Sequence, residues 1–206
     1  MISNDEKKDL ALELHRIGVV KFGEFTLKSG LKAPIYLDLR LLVSYPSVLE
    51  MAAKALISLI SGLEFDRIAG IPYAAIPIAT AVSLQSEVPM IYPRKEAKDY
   101  GLKRPIEGEF KEGETILVFD DLITTGGSKI EAIAPLEASG LKVKDIAVIV
   151  DREQGGKEEL KAKGYELHSV LTLKELLNFL KDGGKISEEE FSSLMNYLEN
   201  PAEWKK

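Results

Sequence analysis

The run from Ile116 to Ser128 constrains the fold of this chain more than any other segment. It reads Ile-Leu-Val-Phe-Asp-Asp-Leu-Ile-Thr-Thr-Gly-Gly-Ser. Its first four residues predict a buried strand that ends at Asp120 and Asp121, and Thr124 to Ser128 predict a short loop before a helix. The N–H groups of such a loop, together with the positive end of the helix, bind phosphate. The two acids would repel a phosphate but accept hydrogen bonds from sugar hydroxyls, so the run indicates a sugar-phosphate site.

Two other interpretations of this run fit less well. A solvated strand end followed by a glycine turn needs no ligand, but it gives no reason for strand, paired acids, Thr-Thr-Gly-Gly-Ser and helix to follow in that order. In a dinucleotide-binding fold the glycines follow the strand directly and the acid comes much later in the chain. The order in this chain is the reverse.

Bulk properties exclude several classes of protein. The 206 residues suit a single domain with a sizeable core. No cysteine is present, which excludes disulfides, zinc–thiolate sites and cysteine nucleophiles. Neither an apolar stretch of membrane-spanning length nor a basic-then-apolar leader occurs, so we expect a cytoplasmic protein with no membrane partner. A net charge of -6 argues against nucleic acid as a partner.

Predicted strands and helices alternate along the chain. The clearest strands are Arg67 to Ile71, Pro89 to Tyr92, Thr115 to Phe119 and Asp145 to Val150. Helices are predicted after capping-box patterns at Ser3 to Glu6, Ser47 to Glu50 and Ser187 to Glu190, and over Gly127 to Ser139. This order predicts an α/β fold with a doubly wound, mainly parallel sheet, in which ligands bind at the carboxyl ends of the strands.

Residues 94 to 104 concentrate positive charge in an acidic chain, with five cations and two acids. The segment runs through Gly101 and Pro105 to Gly108, so we expect a flexible loop over residues 94–108 rather than a helix. A solvated charged turn would explain the segment if it stood alone. Beside a phosphate site, a lid that closes over a diphosphate leaving group is the better interpretation.

Two further segments point to a planar, anionic partner. Alternating apolar residues around Ser29 and Gly30 predict a hairpin over about residues 18–40, a small N-terminal lobe outside the main sheet that we call the hood. Lys28 and Tyr36 could present a cation and an aromatic face to a base, although a surface lysine and a core tyrosine fit the pattern alone better. Arg152 follows the last predicted strand and could bind a carboxylate or the imide edge of a pyrimidine. A surface ion pair between Asp151 and Arg152 is the alternative, and composition does not separate the two.

Four motifs in order resemble the orotate phosphoribosyltransferases, which are type I phosphoribosyltransferases. They are Phe22 to Gly30, Arg94 to Asp99, Asp120 to Ser128 and Asp151 to Gly156, and the resemblance covers about residues 18 to 182. The last motif is most similar to the phosphoribosyltransferase half of uridine-monophosphate synthase. The resemblance implies the type I phosphoribosyltransferase fold and transfer of a phosphoribosyl group from phosphoribosyl diphosphate (PRPP) to orotate in pyrimidine synthesis. It also implies magnesium and a homodimer in which loop 94–108 reaches the neighbouring subunit.

The resemblance further implies roles for individual residues. Lys98, Asp120 and Asp121 would be catalytic. The PRPP-binding set would be Tyr73, Arg94, Lys95, Lys98, Tyr100, Asp120, Asp121, Leu122, Ile123, Thr124, Thr125, Gly126, Gly127 and Ser128. Orotate would be held by Lys28, Tyr36, Thr124 and Arg152. Magnesium would be held mainly by PRPP, with Asp120 or Asp121 acting through water.

Two positions depart from a pattern that many members have. Tyr100 stands where a histidine is frequent, and Ala74 stands where a lysine often contacts the diphosphate. Synthase-like members resemble this chain at both positions, so we expect variation rather than loss of activity. Two other functions stay open: transfer to a purine base, and a non-catalytic regulator that binds nucleotide or RNA on the same fold.

Overall fold

The computed structural model describes residues 2–26, 32–95 and 105–200. Within these ranges the strands are β1 Val20–Thr26, β2 Lys32–Leu37, β3 Arg67–Gly70, β4 Met90–Pro93, β5 Ile106–Glu107, β6 Thr115–Ile123, β7 Lys142–Asp151 and β8 Glu166–Thr172. The helices are α1 Asn4–Arg16, α2 Pro46–Ile60, α3 Ala75–Ser86, α4 Gly127–Ala138, α5 Gly156–Ala162, α6 Leu173–Asp182 and α7 Glu188–Glu199, with a 3-10 helix over Leu39–Ser44.

Six strands form the main sheet in the order β5-β4-β3-β6-β7-β8. Neighbouring strands run parallel from β4 to β8, and the short β5 is antiparallel to β4. Alternate residues of β6 enter different apolar clusters: Leu117 and Phe119 join one, while Ile116 and Val118 join the other. Successive side chains of a strand point to opposite faces, so the sheet has a core on each face. The predicted doubly wound α/β fold is confirmed.

The hood is a separate two-stranded sheet. β1 and β2 pair antiparallel, and the register shifts between Phe22 and Phe25. The Ser29–Gly30 turn and Lys28 lie in residues 27–31, outside the described part of the chain. Ala33, Ile35 and Leu37 of β2 are buried in the larger core cluster. The hood is therefore packed on the main body through its second strand.

Several predicted boundaries differ from the observed ones. The strand predicted to end before the acids runs on to Ile123, because the backbone from Asp120 to Ile123 pairs with Val148 to Asp151 of β7. Helix α2 begins at Pro46, so Ser47 is not its capping residue. A proline at the first helical position has the φ angle that a helix needs, and here the helix starts two residues earlier than predicted. Residues 106–107, predicted within the loop, are paired as β5.

The capping boxes predicted before α1 and α7 are both present. A third capping box, formed by Thr172 and Glu175, begins α6, a helix that we did not predict from the sequence. Helices α3 and α5 and strand β8 were likewise not predicted. Leu194 of α7 is buried, and Phe191 and Leu198 pack against the core. Among the helices of the described ranges, none is both long and apolar enough to span a membrane.

Candidate active site

Predicted site residues in the described part of the chain lie at one edge of the main sheet, where four parallel strands end. Tyr73 follows β3, Arg94 and Lys95 follow β4, and Arg152 follows β7. Backbone hydrogen bonds hold neighbouring strand ends together: Ile71 N donates to Phe119 O at 3.0 Å, and Arg152 N donates to Ile123 O at 2.9 Å. The carboxyl ends of such strands are where α/β proteins bind their ligands.

Asp120 and Asp121, the acid pair, have different surroundings. Asp120 is buried, and its Oδ2 lies 2.6 Å from Lys129 Nζ in an ion pair whose side chains are 9% and 8% exposed. Its Oδ1 accepts a hydrogen bond from Asp121 N at 2.8 Å. Asp121 Oδ1 accepts one from Leu122 N, also at 2.8 Å. Asp120 is therefore held in a buried ion pair, whereas the described residues form no ion pair with Asp121.

The Asp121 carboxyl has a pKa well above its ordinary value. Burial of Asp121, and next the negative charge of Asp120, raise the pKa of the Asp121 carboxyl to about 7. The hydrogen bond from Leu122 N and the charge of Lys129 oppose this rise. A carboxyl with such a shift at a strand end is a mark of a functional site.

Residues 124–128, the phosphate loop, contact helix α5 closely. Gly126 N donates to Glu159 Oε2 at 2.8 Å. A Cβ atom added at Gly126 would lie 3.3 Å from the Glu159 side chain, and one at Gly156 would lie 2.9 Å from Thr124 O. Glycine is needed at Gly156 for this approach. The Glu159 carboxylate therefore already accepts a hydrogen bond from one backbone amide of the loop that we predicted to bind phosphate.

Arg152 is buried at the end of β7, with 5% of its surface exposed. Its Nε and Nη2 atoms have no hydrogen-bond partner among the described residues. Burial lowers the pKa of the guanidinium, and the hydroxyl of Tyr197, which hydrogen-bonds it, opposes that effect. Asp151 is also buried, and its Oδ1 accepts a hydrogen bond from Glu153 N at 2.8 Å. The two residues do not form the surface ion pair that the sequence left open.

The hood brings Tyr36 to the same edge. Its ring lies 5.6 Å from that of Phe25, and its hydroxyl accepts a hydrogen bond from Arg40 Nη2 at 3.4 Å. Arg40 Nε donates to Asp38 Oδ1 at 2.6 Å. This bond is the main cause of a raised pKa for the Arg40 guanidinium, to which Tyr36 and Asp121 also contribute. Tyr36 also raises the pKa of Arg152, so the two side chains lie within electrostatic range of each other.

The ends of the predicted basic loop, residues 94–108, are held together. Arg94 N donates to Pro105 O at 2.8 Å, and Arg94 Nη1 lies 2.6 Å from Glu107 Oε1. Lys95 Nζ lies 5.2 Å from the centre of the Tyr73 ring, and both line a cleft of about 240 Å³. Lys98 and Tyr100 fall in residues 96–104, outside the described chain. Arg94 thus has an acidic partner within the protein, which the prediction of a PRPP contact did not include.

Four residues at this edge were not found from the sequence: Arg40, Lys129, Glu159 and Tyr197. The sequence contains one signal for Lys129. A lysine in the first turn of a helix is unfavourable next to the positive end of the helix dipole, so its presence there indicates an interaction outside the helix. Arg40, Glu159 and Tyr197 lie on segments whose place at this edge depends on the tertiary fold. No local pattern marks them.

The acid pair fits a magnesium ion that is held mainly by a ligand. Carboxylate oxygens are suitable ligands, and magnesium commonly takes one or two carboxylates with the remaining positions filled by water and substrate phosphates. Within the described ranges, no three His, Cys, Asp or Glu side chains are grouped to hold a metal by themselves. Because one oxygen of Asp120 already contacts Lys129, only the free oxygens of the pair are available.

Comparison with known proteins gives the same family. The model of the phosphoribosyl transferase domain matches residues 45–170. The orotate phosphoribosyltransferase of Thermococcus gammatolerans is 41% identical over 175 residues, which cover 84% of this chain and 93% of that protein. The uridine 5′-monophosphate synthase of Bos taurus is 43% identical over 195 residues, which cover 94% of this chain and 41% of that protein. The chain therefore spans about two fifths of the length of such larger relatives.

Solved structures are also similar. Leishmania donovani UMP synthase matches with a TM-score of 0.88 and 42% identity, over 94% of this chain and 42% of that one. The orotate phosphoribosyltransferase of Mycobacterium tuberculosis in complex with PRPP matches with a TM-score of 0.66 and 27% identity, over 83% of this chain and 98% of that one. The chain belongs to the phosphoribosyl transferase domain family and, within it, to the orotate phosphoribosyltransferases.

Proposed function

We propose that this protein transfers the 5-phosphoribosyl group of PRPP to orotate, giving orotidine 5′-monophosphate and diphosphate in pyrimidine synthesis. The observation that carries the proposal is the buried guanidinium of Arg152 at the end of β7, with Nε and Nη2 unpaired among the described residues. A buried charge without a partner is costly, and a carboxylate gives an arginine two charge-assisted hydrogen bonds. Orotate carries a carboxylate, whereas purine bases and uracil do not.

The sugar phosphate would lie along the acid pair and the phosphate loop. Asp120 and Asp121 accept hydrogen bonds from the ribose hydroxyls, and the amides of Thr125 to Ser128 bind the 5′-phosphate at the start of α4. Leu122 and Ile123 place the acids and the loop at the end of β6. Glu159 has to leave the Gly126 amide when the phosphate arrives, because a carboxylate and a phosphate repel each other there.

The chemistry is displacement at the anomeric carbon. The bond to the diphosphate oxygen breaks as the bond to the orotate ring nitrogen forms, and the ribosyl group passes through a cationic, oxocarbenium-like state. The Asp120 carboxylate stabilises that positive charge, and its ion pair with Lys129 holds it in place. The attacking ring nitrogen gives up its proton as the new bond forms, and the departing diphosphate can accept that proton.

The departing diphosphate gains negative charge, which basic residues would neutralise. Lys98 is the proposed catalytic cation, with Tyr73, Arg94, Lys95 and Tyr100 as further contacts. Lys95 and Tyr73 already lie together in one cleft. Magnesium, when bound to PRPP, supplies further positive charge on the diphosphate, and Asp120 or Asp121 would hold it through water.

Orotate would lie between the hood and the end of β7. Arg152 binds its carboxylate, Thr124 and Lys28 contribute hydrogen bonds, and the ring of Tyr36 covers one face. Tyr36 raises the pKa of Arg152, which is consistent with both residues facing one binding site. We also propose a homodimer in which loop 94–108 of each subunit serves the neighbouring site.

The experiment that tests the function is a comparison of bases. Loss of orotate absorbance with PRPP and magnesium is compared with transfer to uracil, adenine, guanine and hypoxanthine. Uracil is the matched control, because it is orotate without the carboxylate. We expect kcat/KM for orotate to exceed that for every other base by about 100-fold or more, since the Arg152 hydrogen bonds are then left unmade. Preference for a purine would favour the purine transferase instead.

A non-catalytic regulator predicts a different result. It would transfer no phosphoribosyl group to any base, and it would bind RNA with an affinity that falls steeply as salt is added. The net charge of -6 disfavours that function. Titration with RNA at two salt concentrations separates it from an inactive preparation of the transferase.

A further inference from the structure

Tyr197 of α7 has a polar contact that its packing does not require. Its ring is 1% exposed, within the larger core cluster. Its hydroxyl hydrogen-bonds the Arg152 guanidinium, and it accepts a hydrogen bond from Gln154 Nε2 at 3.4 Å. Phenylalanine would fill the same space. The hydroxyl therefore has a role in the polar contacts rather than in the core.

Arg152 needs a contact of this kind. Its backbone is fixed by the hydrogen bond from its N to Ile123 O, but the long side chain has several rotatable bonds beyond that point. Nε and Nη2 have no partner among the described residues. A guanidinium binds a carboxylate well only when its plane is held in the correct direction. The Tyr197 hydroxyl is placed to hold that plane from the core side.

Helix α7 also connects this contact to the hood. Phe22 and Pro34 of the hood and Ser193 and Leu194 of α7 line one cleft of about 370 Å³. Residues 188–199 lie beyond residues 45–170, which the family model matches. A part of the chain outside the domain model thus contacts the base side of the site.

We propose that Tyr197 is a positioning residue for base selection, which orients Arg152 so that Nε and Nη2 face the carboxylate of orotate. The inference rests on the proposed function and adds a residue of the C-terminal helix to it. Tyr197 touches neither substrate. Its effect should therefore appear in the KM for orotate and not in the KM for PRPP.

The test compares Tyr197→Phe with Arg152→Ala and with a matched control. Arg152→Ala should raise the KM for orotate and lower kcat/KM roughly 10- to 150-fold, with little change for PRPP. Tyr197→Phe should raise the KM for orotate about 3- to 10-fold, because it removes an indirect contact. Tyr165→Phe removes another hydroxyl, one that donates to Glu137 Oε1 at 3.0 Å, and it should leave both KM values unchanged.

The double variant separates positioning from a general effect on folding. If Tyr197 acts through Arg152, adding Tyr197→Phe to Arg152→Ala should cause no further rise in the KM for orotate. The melting temperature of each variant gives the structural contribution separately. An unchanged KM for orotate in Tyr197→Phe, an equal rise in both KM values, or additive effects in the double variant would overturn the inference.

Failure of the inference can be distinguished from failure of the function. If the wild-type protein does not transfer a phosphoribosyl group to orotate, the proposed function is wrong, and so is the role of Tyr197. If the wild type uses orotate and Arg152→Ala raises its KM, while Tyr197→Phe does not, only the role of Tyr197 is wrong.

Discussion

The carboxylate of Glu159 accepts a hydrogen bond from the backbone amide of Gly126, with 2.8 Å between Oε2 and the nitrogen. The two residues are 33 positions apart, and α5 brings them together. Gly126 N is one of the amides assigned to the 5′-phosphate of PRPP. Because two anions repel each other at one donor, Glu159 would compete with a phosphate bound there.

We therefore expect Glu159→Gln to tighten PRPP binding. The neutral side chain keeps its size but no longer repels the phosphate, and we expect a dissociation constant about 3- to 10-fold lower by calorimetric titration with PRPP and magnesium. Glu158→Gln, on the same helix but without the Gly126 contact, is the control and should change little. Weaker binding in Glu159→Gln would mean that this carboxylate orders the loop rather than competing for it.

The ion pair between Lys129 and Asp120 should be important for stability. Lys129→Met keeps the apolar length of the side chain but leaves the buried Asp120 carboxylate unpaired, and we expect the free energy of unfolding to fall by about 3 kcal/mol. Urea denaturation measures this change. Lys54→Met removes a lysine from an exposed pair with Glu50 and should change stability by about 0.5 kcal/mol or less. Equal effects of the two substitutions would contradict the buried pair.

The raised pKa of Asp121 predicts a specific pH dependence of stability. The folded protein releases the Asp121 proton near pH 7, while the unfolded chain releases it near the ordinary carboxyl pKa of 3.8. The folded state thus binds the proton more tightly, so this contribution to stability is full below the ordinary pKa and is lost as the pH rises towards 7. Asp121→Asn has no carboxyl at this position, so it does not lose this stability as the pH rises. The difference in unfolding free energy, variant minus wild type, should therefore be about 1 to 3 kcal/mol larger at pH 8 than at pH 5.

Denaturant titrations of wild type and Asp121→Asn at both pH values check this result. Asp182→Asn, near the end of α6, is a control in which the difference between pH 8 and pH 5 should stay small. If Asp121→Asn has the same relative stability at both pH values, Asp121 is not a buried, proton-binding carboxyl.

The fold could be predicted from the sequence where the local pattern decides the structure. The apolar run Ile116 to Phe119 and the capping boxes of α1 and α7 gave the correct elements, because strand burial and helix capping depend on neighbouring residues. The extension of β6 through Asp120 to Ile123 was not predictable in this way. Its cause is pairing with β7, and two acids interrupt the apolar pattern.

The same distinction between local and long-range contacts applies to the residues of the site. Its motif residues, from Asp120 to Ser128, are adjacent in the chain and could be found from the sequence. Lys129 follows them directly, but its contact with Asp120 depends on how α4 turns back toward β6. Glu159 and Tyr197 reach the site only through the packing of α5 and α7. Long-range contacts of this kind leave no spacing in the sequence.

The shared-site proposal predicts complementation between two inactive variants. Lys98→Ala alters the basic loop, and Asp121→Asn alters the sheet edge, so each homodimer should lose most of its turnover. If each loop serves the neighbouring subunit, a mixed dimer has one site with both defects and one with neither. Equal amounts that re-pair at random give about half mixed dimers, and activity should recover to about a quarter of wild type.

Each variant is first dissociated and re-paired with itself as a control. Mass measurement under native conditions establishes that mixed dimers have formed. No recovery in a mixture that contains them would mean that the loop serves its own subunit, or that Lys98 is not the catalytic cation.

The most direct test of the central claim is a phosphorus-31 NMR spectrum of PRPP, magnesium and orotate before and after addition of the protein. Phosphoribosyl transfer predicts that the PRPP signals are replaced by diphosphate and one phosphomonoester, orotidine 5′-monophosphate, in equal amounts and only when orotate is present. Release of diphosphate at the same rate without orotate, or no release with orotate, would contradict the assignment of this site to transfer onto orotate.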